Sequence, residues 1–442
     1  SNDGGDRTGS WAWRMTAGVN GTGYEDLSWT TQYRSRVFQV SCWIKTSEGN
    51  SVRISINDGI NTSYSSYHTG GGAYEQLTVR RVIDATATRF RIGMVRAAAG
   101  ATNAYWDDWA IDEQPASGAP IKYANYNSGL YLAEGNILCK LDTGAGASFT
   151  YVYSFPATIT DLIVSEANCL YIFLGDSAYY WYMSTAEAFT QTDSTNATKG
   201  IHWGSKLFKI NASGQLAYSA DPSNASPSWT ANGNLANNGI SSGDVNKLCL
   251  YRDATGNTII YAGTKKGLYA HDYTNGQWLE TQLSLPDHPN GGKGLEVFRD
   301  SLFISAGLDV LKYQAGSTST INNVGLNKDD GLPSEYQGEI TGLIKGYNDV
   351  FALVDSAQAT GTGTSALMAF DGSAWRVVTV GTTTEQAMNG GIVSSVYAYR
   401  VWFDFANTVY YIPIERNLRN PLKITTSTYA TSGFHISPWF DA

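Results

Sequence analysis

A strand–turn–strand unit that recurs about every 40 to 50 residues constrains the fold of this chain more than any other feature. Its clearest copy is residues 259–278, IIYAGTKKGLYAHDYTNGQW. Residues 259–262 are β-branched and aromatic, 263–267 can form a tight turn, and 268–271 alternate as a half-buried strand does. Trp278 then begins a further strand. Because one such unit cannot bury both faces of its sheet, its recurrence predicts stacked four-stranded sheets.

About seven copies of this unit follow residue 119. Their hairpins are residues 130–133 with 137–142, 170–174 with 179–182, 206–210 with 216–218, 259–262 with 268–271, 302–305 with 310–313, 350–354 with 367–371, and 401–403 with 409–412. Most are preceded by another apolar strand, such as residues 159–164. Radial closure of four-stranded units removes exposed sheet edges. The pattern therefore predicts a β-propeller over residues 121–422, with seven blades as the first interpretation and six or eight as alternatives.

Residues 1–115 form a separate block, and the Pro-, Gly- and Ser-containing residues 116–120 are predicted to be a linker. Apolar side chains occupy every second position of its strands: Phe38, Val40, Cys42 and Ile44, then Val52, Ile54 and Ile56. One apolar and one polar face per strand predicts a two-sheet β-sandwich. Residues 423–442 are interpreted as a tail or the start of a further segment.

The composition agrees with an all-β chain. Aromatic residues make up 13% of it, glycine contributes 46 of 442 residues, and only 16% of residues are charged. This mixture favours strands and turns over helices, and we find no segment of ten or more residues with a helical period.

Charge and cysteine content exclude several function classes. A net charge of −9 argues against nucleic-acid binding, and the absence of an apolar run of 18 residues argues against membrane insertion. The four cysteines are far apart and form no CxxC pair, which predicts buried free thiols rather than a zinc or redox site. The five histidines form no HxxxH or HxH pair.

Three stretches of the first block carry a family resemblance. They are VFQVSCWIKTSEGNSVRISIN, GGGAYEQLTVRRVIDATATRFRIGM and the closing AYWDDWAID. Together they resemble the jelly-roll carbohydrate-binding modules appended to many polysaccharide-degrading enzymes, over residues 10–112. The opening strand of that family is weak or missing before Gly9. In the family, one sheet face often binds glycan and a structural calcium often lies near the last strand.

The resemblance implies candidate site residues. Trp43, Arg53, Gln76 and Arg91 would share one glycan-binding face, and Asp107 or Asp108 would be a calcium ligand. Aromatic rings stack on the C–H faces of sugars while polar side chains fix orientation, so Trp43 among polar neighbours has suitable chemistry. Three tyrosines flank the glycine loop at residues 70–72 and are candidates for lining a groove: Tyr64, Tyr67 and Tyr74. The alternatives are that Trp43 covers a packed sheet face, that the tyrosines are structural, and that the two aspartates form an ordinary turn.

Two stretches of the repeat region also carry resemblances. Residues 331–343, GLPSEYQGEITGL, resemble the segment that begins a blade in propellers of bacterial sensor proteins. Residues 219–229, SADPSNASPSW, resemble a loose aspartate box of sialidase-type and sortilin-type propellers. Asp329 and Asp330 are the densest acidic spot and are interpreted as a turn. The aromatic, glycine-rich style of the chain resembles bacteriophage tail and adhesin proteins.

The leading functional hypothesis is a non-catalytic binding or structural protein, a virion-associated adhesin that recognises a surface glycan or a neighbouring subunit. No nucleophile motif, P-loop or dinucleotide fingerprint is present. One alternative is a secreted glycan-active hydrolase or lyase with an appended binding module. Another is a bacterial surface protein that docks partners on its propeller. Each hypothesis places the chain outside the cell or on a virion surface.

Overall fold

A computed structural model describes most of the chain. The described residues are 12–29, 33–34, 36–84, 86–114, 121–144, 149–165, 169–175, 179–192, 197–281, 283, 287–315, 320–326, 338–356, 363–381 and 386–414. The predicted linker at 116–120, the Asp329–Asp330 turn and the tail at 423–442 lie outside them. The chain divides into two compact units, Ser1–Ser117 and Gly118–Ala442.

The described residues of the first unit form eight strands: β1 Trp13–Met15, β2 Gly21–Leu27, β3 Val37–Lys45, β4 Val52–Asn57, β5 Thr62–Tyr64, β6 Tyr74–Val82, β7 Phe90–Arg96 and β8 Ala104–Gln114. They form two antiparallel sheets, in the orders β1-β8-β3-β6 and β2-β7-β4-β5. The unit is therefore a two-sheet β-sandwich, as the alternating sequence pattern predicts.

The sandwich core forms where the two sheets face each other. Cys42 and Ile44 of β3 and Ile54 and Ile56 of β4 are fully buried in one cluster, with Trp106 of β8 beside them. Burial of apolar surface contributes about 25 cal/mol per Å² to folding, so this cluster is the main source of the sandwich's stability. The intervening residues of each strand face outward, which leaves one polar surface on each sheet.

The second unit contains the remaining strands: β9 Ile121–Tyr126, β10 Gly129–Glu134, β11 Ile137–Leu141, β12 Phe149–Ser154, β13 Ile159–Val164, β14 Leu170–Leu174, β15 Trp181–Met183, β16 Phe189–Gln191, β17 Ala197–Trp203, β18 Lys206–Asn211, β19 Gln215–Ser219, β20 Thr230–Asn234, β21 Val245–Arg252, β22 Thr258–Thr264, β23 Gly267–Asp272, β24 Gln277–Glu280, β25 Leu295–Phe298, β26 Ser301–Ala306, β27 Asp309–Gln314, β28 Thr320–Gly325, β29 Glu339–Lys345, β30 Val350–Asp355, β31 Ala366–Phe370, β32 Trp375–Val380, β33 Gly391–Ser394, β34 Arg400–Phe405 and β35 Thr408–Pro413. Two short 3-10 helices, Leu235–Asn238 and Ser242–Asp244, lie between β20 and β21.

Within the described residues, these strands form six four-stranded sheets and one three-stranded sheet, all built from consecutive antiparallel strands. The first strands of successive sheets contact one another in chain order, and β33 contacts β9. Apolar clusters fill the space between neighbouring sheets, as where Phe208 of β18 packs with Ile260 of β22 and Trp278 of β24. This ring of radially arranged sheets is a β-propeller, which confirms the predicted fold of the repeats.

The repeat at residues 259–278 forms as predicted, with one correction. Its strands are β22 and β23, and the turn between them is Lys265–Lys266 alone. Gly263, predicted to be part of the turn, lies inside β22 opposite Leu268. A Cβ at Gly263 would lie 2.4 Å from the carbonyl oxygen of Gly292. Glycine is therefore required here because the backbone at Gly292 approaches this strand closely.

All four cysteines are free, as predicted, but only Cys42 is fully buried. Cys139, Cys169 and Cys249 are partly exposed. Among the described residues, no helix is long and apolar enough to cross a membrane.

Candidate functional site

A row of four residues crosses the sheet β2-β7-β4-β5 of the sandwich. Tyr24 of β2 lies opposite Gly93 of β7, Gly93 lies opposite Ser55 of β4, and Ser55 lies opposite Tyr64 of β5. Side chains alternate across a strand, and Ile54 and Ile56 point into the core, so Ser55 and its row face outward. The row therefore places two tyrosines at the ends of a floor made of two small residues.

This row is the base of a groove of about 250 Å³. Tyr24 is 54% exposed and Tyr64 is 48% exposed, whereas Ser55 on the floor is only 4% exposed. Four strands spaced about 4.8 Å apart put the outer two roughly 14 Å from each other. That width accommodates one or two sugar-sized rings between the tyrosines.

Arginine guanidinium groups support both tyrosine rings. The guanidinium carbon of Arg91 lies 3.7 Å from the centre of the Tyr24 ring, and that of Arg53 lies 3.8 Å from the centre of the Tyr64 ring. Arg53 also lies 4.6 Å from the centre of the Tyr67 ring. Such cation–π contacts fix ring orientation, so each tyrosine is held by a neighbour while about half of its side chain remains open to solvent.

A second row beside the first supplies polar groups. Arg91 donates two hydrogen bonds of 2.6 Å to the carboxylate oxygens of Asp26, its neighbour on β2. The Arg91 hydrogen bond lowers the pKa of the Asp26 carboxyl, so Asp26 is ionised at neutral pH. Next along the row, Asn57 Nδ2 donates to Thr62 Oγ1 at 2.6 Å, and Arg89 Nε donates to Asn57 Oδ1 at 2.7 Å. These bonds preorganise one edge of the groove.

The structure separates the predicted glycan-binding residues into two groups on different sheets. Tyr64 and Arg91 line the groove, and Arg53 and Tyr67 lie beside it. Trp43, Tyr74 and Gln76 belong to β3 and β6 of the other sheet. The prediction that Trp43, Arg53, Gln76 and Arg91 share one face is therefore wrong, because β3 and β4, although consecutive, lie in different sheets.

On that other sheet, Trp43 lies opposite Gln76 of β6, and Asp107 of β8 flanks it on the other side. Tyr74 lies opposite Lys45, whose ammonium is 5.6 Å from the centre of the tyrosine ring. These residues form a polar outward face with aromatic members. Their role in glycan binding stays a prediction.

The sequence prediction missed Tyr24, Asp26 and the floor residues of the groove. The strand that carries Tyr24 and Asp26 reads GTGYEDL, which contains no run of alternating apolar residues. The local signal for a strand is therefore weak, and its partner β7 is more than sixty residues away in sequence. Only the position of Tyr24 opposite Gly93 in the folded sheet identifies it.

Asp107 and Asp108, the predicted calcium ligands, lie at an irregularity of β8. The register with β3 shifts between Ser41 and Trp43, and Asp108 has a φ of 48°. The backbone N–H of Asp108 donates to Asp107 Oδ1 at 2.8 Å. Within the part of the chain that the structure describes, no group of three or more acidic, histidine or cysteine residues could hold a metal. Two carboxylates alone do not complete a shell of six to eight oxygens, so calcium binding stays a prediction.

The stretch that resembles an aspartate box forms the connection between β19 and β20. Ser219 Oγ donates to Asp221 Oδ1 at 2.7 Å, and the Ser228 backbone N–H donates to the same oxygen at 3.3 Å. The Trp229 ring lies 3.7 Å below the ammonium of Lys209 and contacts Tyr180. The Asp221 hydrogen bonds stabilise the turn within its blade, and the contact between Trp229 and Tyr180 joins this blade to the preceding one.

Neither a protein-family model nor a curated protein sequence matches this chain. Several solved structures are similar in fold. The extracellular domain of a putative one-component system from B. thetaiotaomicron is 15% identical with a TM-score of 0.48, covering 67% of this chain and 39% of that domain. Virginiamycin B lyase from Staphylococcus aureus is 8% identical with a TM-score of 0.45, covering 66% of this chain and 93% of the lyase. YCF48 from Cyanidioschyzon merolae is 11% identical with a TM-score of 0.45, covering 67% of this chain and 95% of that protein.

This chain thus spans less than half the length of the sensor domain. At these identities the similarity concerns the fold alone. The assignment of a β-propeller rests on the ring of sheets described above.

Proposed function

We propose that this chain is a glycan-binding protein, and that the groove bounded by Tyr24 and Tyr64 is its binding site. The single observation that carries the proposal is the cross-strand row Tyr24–Gly93–Ser55–Tyr64. It presents two exposed aromatic rings on either side of a floor from which bulky side chains are absent.

The chemistry of the groove suits a carbohydrate. A sugar ring presents C–H groups that stack on aromatic faces and hydroxyl groups that need donors and acceptors. The tyrosine rings supply the aromatic faces, and Asp26, Arg91 and Asn57 supply hydrogen-bonding groups from one edge of the groove. Because Arg91 and Asn57 already make hydrogen bonds within the sheet, a ligand does not have to order them, which lowers the entropic cost of binding.

The wider role follows from this site. We infer that the sandwich is a jelly-roll module and that the seven sheets of the second unit are a complete seven-bladed propeller. Such a chain serves as a non-catalytic adhesin or structural component outside the cell or on a virion, with a surface polysaccharide and neighbouring subunits as partners. Two exposed tyrosines on a rigid sheet support a binding role, since sites on strands hold their geometry better than sites on loops.

A glycan array probed with the full chain tests the proposal. The Tyr24→Ala/Tyr64→Ala double variant should lose binding to every glycan that the wild type binds, with an unchanged melting temperature. Trp43→Ala, on the other sheet, should retain binding. Loss in Trp43→Ala with retention in the double variant would place the site on the other sheet and overturn the proposal.

The same preparation distinguishes the alternative functions. Release of smaller products from a bound polysaccharide would favour a glycan-active hydrolase or lyase over a binding protein. If the chain binds no glycan but retains a protein from the surface that carries these glycans, the results would favour a bacterial surface protein that docks partners on its propeller.

A further inference from the structure

The propeller encloses a second candidate site, which is independent of the sandwich groove. A cavity of about 450 Å³ lies among the first strands of the blades, including β9, β13, β17, β21 and β29. Its lining includes four lysines: Lys122, Lys199, Lys247 and Lys293. A concentration of positive charge in one cavity of a chain with net charge −9 calls for an explanation.

The backbone places two of these lysines through a repeated irregularity. The register of β17 shifts between Ala197 and Lys199, and that of β21 shifts between Val245 and Lys247. The sheets β17–β20 and β21–β24 therefore each place a lysine of their first strand directly after a β-bulge. A bulge redirects the side chain that follows it, and bulges often occur beside functional sites.

Carboxylates lie around the cavity lysines, but only one of them forms an ion pair with a cavity lysine among the described residues. Lys247 Nζ lies 2.6 Å from Glu296 Oε1 and forms an ion pair. Asp161 is already engaged by backbone groups, because its oxygens accept hydrogen bonds of 3.1 Å from the N–H groups of Leu162 and Gly200. Four lysines and one carboxylate, that of Asp161, line the cavity itself. The carboxylates of Asp355, Glu339 and Asp404 lie around Lys293 and attract its ammonium group.

Three lysines of the cavity lack an ion-pair partner among the residues that the structure describes: Lys122, Lys199 and Lys293. The polar contact of Lys293 is long, with Nζ 3.4 Å from Asn290 Oδ1. Burial lowers the pKa of Lys122 to about 8, and the positive charge of Lys199 contributes to the decrease. Burial also lowers the pKa of Lys293. Lys122, Lys199 and Lys293 line the same cavity, and an anion among them would offset the cost that burial imposes on the charged forms of Lys122 and Lys293.

We propose that this cavity binds a small phosphorylated molecule, a phosphate monoester held by Lys122, Lys199 and Lys293. A phosphate monoester carries about −1.5 to −2 charges at pH 7, which matches a cluster of ammonium groups better than a single carboxylate does. Lysine binds phosphate as a compact point charge. No arginine is among the described residues that line this cavity. The volume is within the range of small-ligand sites.

Isothermal titration of the full chain at low ionic strength tests this site with inorganic phosphate and a hexose 6-phosphate. Both should bind, and tighter binding of the hexose 6-phosphate would indicate a phosphorylated sugar as the ligand. Stronger binding of inorganic phosphate than of the hexose 6-phosphate would contradict a phosphate monoester as the ligand. Equal or tighter binding of succinate would overturn the phosphate assignment, as would no heat from any phosphate compound at millimolar concentration.

Two variants and a control locate the site. Lys122→Gln and Lys199→Gln should each weaken phosphate binding at least about tenfold, as expected for loss of one charge-assisted hydrogen bond. Lys266→Gln, in the exposed β22–β23 turn, should leave it unchanged. Lys199→Arg keeps the charge and should retain most binding, which separates loss of charge from a folding defect. Unchanged affinity in both glutamine variants would contradict the proposal.

Discussion

Tyr24 and Tyr64 are at opposite ends of one cross-strand row, although forty residues separate them in sequence and no strand pairs them directly. Gly93 and Ser55 lie between them, on the two central strands of the sheet. Because of these positions, the two surface tyrosines form the walls of a groove. Several consequences of this arrangement and of the propeller cavity are measurable.

Gly93→Val should abolish glycan binding. Even a Cβ at this position would lie 2.4 Å from Ser55 Oγ, so the larger side chain must displace Ser55 and fill the floor. Binding should be measured by titration with the best glycan from the array, and folding by thermal melting. Full affinity in a folded Gly93→Val protein would show that the ligand does not contact the floor.

Asp26→Asn should weaken glycan binding several-fold without unfolding the sandwich. The substitution removes the charge that holds Arg91 through two hydrogen bonds, so Arg91 becomes free to leave the Tyr24 ring. Glu25→Gln on the same strand is the matched control, and its affinity should equal that of the wild type. Equal affinity in Asp26→Asn would mean that the carboxylate does not organise the site.

Asp58→Asn should destabilise the sandwich by about 3 kcal/mol, the scale of a broken buried ion pair. Burial alone would raise the pKa of the Asp58 carboxyl, but backbone N–H groups of Asn61 and Asp84 and the Arg81 guanidinium outweigh it and hold the pKa at about 2. Because the folded pKa lies below the ordinary value of 3.8, this contribution is present above pH 4 and is lost as pH falls towards 2. Urea unfolding at pH 7 and pH 2.5 measures the free energy of unfolding of the wild type and of Asp58→Asn. An equal difference between the two proteins at both pH values would contradict this contribution of the Asp58 carboxylate.

Lys122→Gln should stabilise the ligand-free propeller at pH 7. The folded pKa of Lys122, about 8, lies below the ordinary 10.5, since burial and three other lysines (Lys199, Lys247 and Lys293) outweigh the attraction of Asp161. The destabilisation caused by burying charged Lys122 is fully present below pH 8 and disappears as pH rises to 10.5. The difference in melting temperature between Lys122→Gln and the wild type should therefore shrink over that range. Thermal melting from pH 7 to 10.5 checks this, with Lys266→Gln as the control. An advantage that persists at pH 10.5 would point to a cause other than charge.

Gly263→Ala should destabilise the propeller by about 1–3 kcal/mol, as overpacking does. The new methyl group would meet the backbone oxygen of Gly292, which cannot rotate away as a side chain can. Gly243→Ala is the matched control, because its Cβ would have only one neighbour within 4 Å, at 3.9 Å. Chemical denaturation measures the free energy of unfolding of both variants. Equal values for Gly263→Ala and Gly243→Ala would mean that neighbouring blades can move apart at no cost in free energy.

The sequence predicts local features of this protein well. Alternation in residues 37–45 identifies both the strand β3 and the face that Cys42 and Ile44 bury, because side-chain direction within one strand has a period of two. The hairpins of the propeller are predicted for the same reason, since their strands are adjacent in sequence. Gly263 is misassigned because the local pattern does not encode its contact with Gly292 from the next blade.

The candidate sites depend on distant pairings that local patterns do not encode. Trp43 and Arg53 are close in sequence, yet β3 and β4 join different sheets, so their outward side chains do not share a face. The lysine cavity has a partial signal, because Lys199 and Lys247 occur at equivalent positions of two repeats. Their convergence with Lys122 follows only from closure of the ring.

A crystal structure of the full chain bound to its tightest glycan ligand would locate the binding site. We expect a sugar ring above Gly93 and Ser55, stacked on Tyr24 or Tyr64 and hydrogen-bonded to Arg91 or Asn57. A ligand bound instead against Trp43 and Gln76 on the other sheet, or on the propeller alone, would contradict this expectation.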